Sequence, residues 1–105
     1  MMDNASAVEA DMIRLRQSLV AALNISDQDF DASGRQNITF KLFIGAYVLD
    51  DLHLLPRVGI AQLFGMSQPW VNYAIESVEK RRAHRDYRAH VDSIVEAIRV
   101  AESLM

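Results

Sequence analysis

The chain has 105 residues, half of them apolar and 24% charged, with no cysteine and a net charge of −3. That is one domain's worth of globular protein, and it excludes a disulfide framework and any thiolate metal site. The apolar run around Leu42 to Leu49 is far short of the roughly 20 residues that span a bilayer. Met1-Met2-Asp3-Asn4-Ala5 has neither the basic start nor the apolar stretch of a signal peptide, so the expectation is a soluble cytoplasmic protein with no membrane partner.

The acidic average hides an asymmetry. Residues 1–34 carry Arg14 and Arg16 against six acids, a local charge of −4. Residues 35–90 carry Arg35, Lys41, Arg57, Lys80, Arg81, Arg82, Arg85 and Arg88 against five acids, a local charge of +3. Residues 91–105 return to −2. A polyanion responds to the local field more than to the net charge, so a basic middle keeps nucleic acid open as a partner.

In chain order, residues 6–23 read as an amphipathic helix, with Val8, Met12, Leu15, Leu19 and Leu23 at steps of three or four. Ser6 and Glu9 have the spacing of a capping box. Ile25 to Gly34 is an acidic connector with Phe30 expected to tuck back onto the body. A second capping-box spacing, Ser33 and Gln36, predicts a helix to about Leu52. Its apolar residues, Ile38, Phe40, Leu42, Phe43, Ile44, Ala46, Tyr47, Val48 and Leu49, occupy more than one side, which predicts a central helix or one buried on two faces.

Pro56 fits the first turn of a short third helix, Arg57 to Phe64, and Gly65 suits the left-handed conformation that ends one. Ser67 is placed as the next N-cap, with Gln68 and Pro69 in the first turn of a fourth helix running to about Arg82. A last apolar stripe comprises Tyr87, Val91, Ile94, Val95, Ile98, Ala101 and Leu104. Arg82-Ala83-His84-Arg85-Asp86 contains no Gly or Pro, so a break capped by Asp86 and one continuous helix are both compatible with it. Nothing alternates with period two, and the fold class is all-α. The chain divides into an amphipathic helix with its connector, 1–34, and a helix-turn-helix domain with a C-terminal helix, 35–105.

The functional signal is the spacing of Ala61, Gly65 and Val71, with Phe64, Met66 and Ala74 around them. A helix-turn-helix needs a small residue where its helices cross, a glycine at the tight turn and a branched apolar residue to lock the pair. The second helix of such a motif enters the major groove by its amino-terminal end. Ser67, Gln68, Pro69, Trp70, Asn72, Tyr73 and Glu76 are then the residues nearest the bases. Gln and Asn can contact adenine with two prongs, and Tyr can bond a phosphate or pack on a thymine methyl. Lys41, Arg57, Lys80, Arg81, Arg82 and Arg85 are phosphate candidates. Trp70 is ambiguous, since its ring can pack on the third helix and leave only an edge wet.

The segment from Tyr47 to Gly65, YVLDDLHLLPRVGIAQLFG, resembles the carboxy-terminal DNA-binding domain of the bacterial replication initiator DnaA. Tyr47, Leu52, Leu55, Ile60, Phe64 and Gly65 resemble that family's tyrosine, leucines and isoleucine-glycine-x-x-phenylalanine-glycine ending, with Ala61 in place of the small glycine. Val71, Ala74, Val78 and Glu79, then Asp86-Tyr87 with Val91 and Ile94, extend the likeness over roughly residues 35–98. The resemblance implies the fold and binding of double-stranded DNA. It does not imply reading of the initiator's own box. The family's arginine-aspartate-histidine-threonine-threonine turn is replaced by the shorter Met66-Ser67-Gln68-Pro69-Trp70, and its arginine in the preceding helix falls at Leu42, beside Lys41. Gly59 and Gly65 are too isolated for a phosphate loop, so the initiator's nucleotide-binding module has no counterpart.

No catalytic, cofactor or metal residue emerges. His84 and His90 are six apart with no third ligand at helical spacing, and Asp50-Asp51 and Glu76/Glu79 read as helix-surface acids. The expectation is a small regulator of transcription or of an origin-like site, nucleoid-associated in a bacterium. The terminal stripes should either wrap the core or form a homodimer with two recognition helices about one DNA turn apart. The competing expectation is a module of the same fold that binds another regulatory protein, because the recognition helix has no Lys or Arg before Lys80.

Overall fold

The computed structural model describes residues 3–26 and 36–104, with side chains over 10–26 and 40–104. The described residues form five helices and no strand: α1 (Asp3–Leu23), α2 (Gln36–Asp51), α3 (Arg57–Phe64), α4 (Gln68–Arg81) and α5 (Arg85–Ser103). Both capping-box pairs, Phe30 and Ile38 lie outside the described side chains. No helix among the described residues is long and apolar enough to cross a membrane.

Helix α2 is the centre. Residues 42–49 are buried without interruption, and α1, α3, α4 and α5 all pack against this helix. Gly45 lets two of them close in, since a Cβ there would stand 3.1 Å from the Phe64 ring of α3 and 3.3 Å from Leu23 of α1. Around it sit Leu15, Leu19 and Leu23 of α1, Ile60, Ala61, Leu63 and Phe64 of α3, Val71, Ala74, Ile75 and Val78 of α4, and Val91, Ile94 and Ile98 of α5. One continuous core results.

Three helices stop in the same way. At the end of α3, Met66 N–H donates to the Ala61 carbonyl at 2.9 Å and Gly65 N–H to Gln62 at 3.2 Å, with Gly65 at φ 66°. That pair of backward bonds satisfies carbonyls the helix would otherwise leave open. His53 plays the glycine's part after α2, at φ 56°, with Leu54 N–H bonded to Leu49 at 2.9 Å and His53 N–H to Asp50 at 3.1 Å. Asn24, at φ 57°, does so after α1, where Ile25 N–H reaches Val20. Asn and Gly adopt this left-handed conformation readily; histidine pays a Cβ penalty.

The chain breaks between α4 and α5, as one of the two sequence readings allowed, but the N-cap is His84 rather than Asp86. Asp86 lies in the first turn of α5, where a negative charge suits the helix dipole. The break follows from burial. At 1.5 Å per residue, a continuous helix would carry Ile98 about 30 Å past Val78, away from the core. Turning back buries Val91, Ile94 and Ile98 instead, and Arg82 spans the corner to Asp92 at 3.0 Å.

The terminal stripes wrap the core of one chain. Helix α1 lies against α5 and α2, and Arg14 bonds both carboxylate oxygens of Glu102, at 2.8 and 3.3 Å. Leu15, Leu19, Leu23, Ile94 and Ile98 are thereby consumed internally. Leu104, counted in the last stripe, is instead 81% exposed, because α5 has ended at Ser103.

Two substitutions test this arrangement by equilibrium urea unfolding. Ala61→Leu should destabilise by about 1–3 kcal/mol, because a branched side chain overpacks a buried position, the one at which the sequence spacing sets α3 against α4. An unchanged midpoint would mean that the helices do not meet there. His53→Gly should stabilise by about 1 kcal/mol through relief of the left-handed backbone, whereas a loss would show that the imidazole makes a contact outweighing that relief.

Candidate nucleic-acid interface

Helices α3 and α4 form the expected pair. Pro56, extended at φ −68° and ψ 162°, is the N-cap of α3 rather than a residue of its first turn, and Gly65 turns the chain out of it. Ser67 caps α4 by accepting from the Trp70 N–H at 3.2 Å. The inward side of α4 is Val71, Ala74, Ile75 and Val78, each buried. The outward side is set by elimination, since 3.6 residues per turn leave Ser67, Gln68, Pro69, Asn72, Tyr73 and Glu76 exposed.

Trp70 departs from that face. It is only partly exposed, packed at 5.6 Å between ring centroids on Phe43 of α2 and at 5.7 Å on Phe64 of α3. Its indole therefore ties three helices together. Tyr73 and Phe40 also set their edges or faces against Phe43, at 5.7 and 6.2 Å, yet remain 63% and 49% exposed. An aromatic ridge thus borders the polar face of α4.

The six basic candidates divide by what already holds them. Arg57 is engaged twice: its Nε and Nη2 donate to the Asp50 carboxylate at 3.3 and 3.4 Å, and its Nη1 to Asn72 Oδ1 at 2.7 Å. Arg81 lies over the Phe40 ring, 3.9 Å from its centroid, and Arg82 is paired with Asp92. Lys41 donates to the Asn24 carbonyl at 3.4 Å. Lys80 and Arg85 are exposed and form no ion pair with a described residue, and the same holds for Arg88. Asp50 carries no sequence signal for this site, because it reaches Arg57 across the α2–α3 corner rather than along a helix.

Elsewhere the chemistry is sparse. Burial pushes the Tyr47 phenol up, with Asp51 adding to the effect and Arg82 opposing it. Burial also pushes Tyr87 up, against Arg81. Both phenols therefore keep their protons beyond the pH at which an ordinary tyrosine ionises. Among the described residues no three His, Asp or Glu side chains gather as metal ligands. An open groove between α1 and α5 is lined by Ala21, Ala22, Ala97 and Ala101 with Arg14, whose guanidinium is already bonded to Glu102.

Trp70→Ala should destabilise the fold by on the order of 2 kcal/mol, less than a fully buried aromatic because one edge is already wet. Thermal melting checks this; an unchanged melt would reassign Trp70 from scaffold to pure contact residue.

No family model, curated protein or solved structure matches the chain, so the meaning of this face rests on its own residues.

Proposed function

We propose that the chain binds double-stranded DNA with the amino-terminal half of α4 in the major groove, as a small regulator of transcription or of an origin-like site. The observation that carries this reading is a rigid helix with two unlike sides. Val71, Ala74, Ile75 and Val78 lock α4 to the core, while Gln68, Asn72 and Tyr73 stand exposed from a capped first turn. Carboxamides on a helix of this size meet what base edges in the major groove demand. Lys80 follows two turns later, with Arg85 and Arg88 beyond the corner, as sources of phosphate attraction. The likeness to the DnaA DNA-binding domain points the same way. With Leu15, Leu19, Leu23, Val91, Ile94 and Ile98 of the terminal stripes buried inside one chain, this reading requires no dimer, and a single recognition helix per molecule is its simplest form.

A second reading has its own support. Asp50 neutralises Arg57, Glu76 is exposed, and Tyr73 and Phe40 form an uncharged ridge beside α4. That surface would suit a partner protein, as in a module that modulates another regulator.

Selection of bound duplexes from a random pool at two salt concentrations separates them. On the DNA reading, Gln68→Ala should lose roughly 1–3 kcal/mol on the preferred duplex and little on unrelated DNA. Lys80→Ala should weaken binding to all sequences and reduce the salt slope by about one. No binding by the wild type at low salt, where counterion release is strongest, would overturn the DNA reading in favour of the protein partner.

A further inference from the structure

The contact between Arg57 and Asn72 bears on which base α4 can read. A guanidinium has donors only, so the 2.7 Å contact from Arg57 Nη1 must fall on Asn72 Oδ1. This settles which way the carboxamide is turned. One lone pair of Oδ1 is taken by Arg57, leaving the second lone pair and both Nδ2 hydrogens. The carboxamide therefore keeps acceptor capacity on Oδ1 and both donors on Nδ2, with the order of oxygen and nitrogen set by Arg57. Adenine presents the complementary pair in the major groove, its N6 donor and N7 acceptor. Arg57 is itself held from behind, because Asp50 takes Nε and Nη2 at 3.3 and 3.4 Å. The three residues come from α2, α3 and the exposed side of α4.

We propose that Asp50, Arg57 and Asn72 form a clasp that presets Asn72 to read one adenine. Arg57 is then a positioning residue and not a phosphate contact. The inference rests on the DNA-binding reading above and adds to it the identity of a base and the residues that select it. Its physical basis is preorganisation: an exposed asparagine must otherwise give up its free rotation on binding, and its amide can present either order of donor and acceptor. The charge of Arg57 is meanwhile balanced by Asp50, which weakens its pull on phosphate.

The test uses the duplex that the full-length wild type enriches from a random pool, with each base pair then substituted in turn. Asn72→Ala should abolish preference at one A·T pair, a loss of roughly ten- to a hundredfold in discrimination. Arg57→Ala and Arg57→Lys should lower discrimination at that same pair, while the salt slope and affinity for unrelated DNA stay as in the wild type. The lysine variant keeps the charge and loses the fork, so it separates positioning from phosphate attraction. Asp50→Asn should fall between. With Asn72 already alanine, adding Arg57→Ala should change nothing further at that pair. The clasp is overturned if Arg57→Ala weakens all duplexes alike and reduces the salt slope by about one. It is also overturned if the pair lost with Asn72 is not A·T, or if the Arg57 variants keep full discrimination. Failure of the wild type to bind any duplex at low salt removes the DNA reading itself, an outcome distinct from each of these.

Discussion

Residues 42–49 of α2 are buried in an unbroken run, so for about two turns this helix has no face turned to water. A helix in that position must be covered on every side, and each remaining element is arranged to cover it. Helix α4 takes one flank and α3 another, and α1 and α5 close the rest. The α4–α5 corner follows from the same demand. Nothing in Arg82-Ala83-His84 forbids a continuous helix, yet continuing would leave Val91, Ile94 and Ile98 without a partner. Apolar burial is worth about 25 cal/mol per Å², which outweighs the few backbone bonds interrupted at the corner. The half-buried guanidinium of Arg82, over the Tyr47 ring and bridged to Asp92, then holds the turn.

The covering of α2 also determines what α4 can offer. Because Phe43 of α2 receives both Trp70 and Tyr73 edge-on, the first two turns of α4 are pinned by aromatic contacts as well as by aliphatic ones. Trp70 gives up its role as an outward contact to do this. Basic side chains near the face are similarly committed, Arg57 to Asp50 and Arg81 to the Phe40 ring. The exposed side of the first two turns of α4 thus carries amides and an aromatic edge, with the charges of Glu76, Glu79, Lys80 and Arg81 beyond them. A surface of that kind favours discrimination among partners over raw attraction.

The parts legible in the sequence were those punctuated locally. Pro56, Gly65 and Ser67 each act on their own backbone, and they set α3 and the start of α4 residue for residue. The central place of α2 was likewise foreshadowed by apolar residues on more than one of its sides. What escaped the sequence depends on contacts across elements. His84 rather than Asp86 begins α5, because the corner is placed by the burial of residues seven to fourteen positions further on. His53 at a left-handed position had no compositional signal, since histidine is not the residue usually found there. Phe40 beside Arg81, and Asp50 behind Arg57, became visible only when α2 was laid against α3 and α4.

Those cross-element contacts explain why the candidate face is harder to read than the fold. Gln68, Asn72 and Tyr73 were identifiable from helical period alone, because exposure on a helix repeats with its pitch. Whether an exposed side chain is free to act is a different matter, and depends on its neighbours from other helices. Arg57 illustrates the distinction. By sequence it is one more cation near a helix-turn-helix, equivalent to Lys80. In the folded chain it is a fork with each prong assigned, two to a carboxylate and one to a carboxamide. Its electrostatic reach is reduced and its geometric role enlarged. An exposed ion pair of this kind adds little stability by itself, so its consequence lies in orientation. The α2–α3 corner that brings Asp50 to Arg57 therefore ties the packing of the central helix to the outward face of α4.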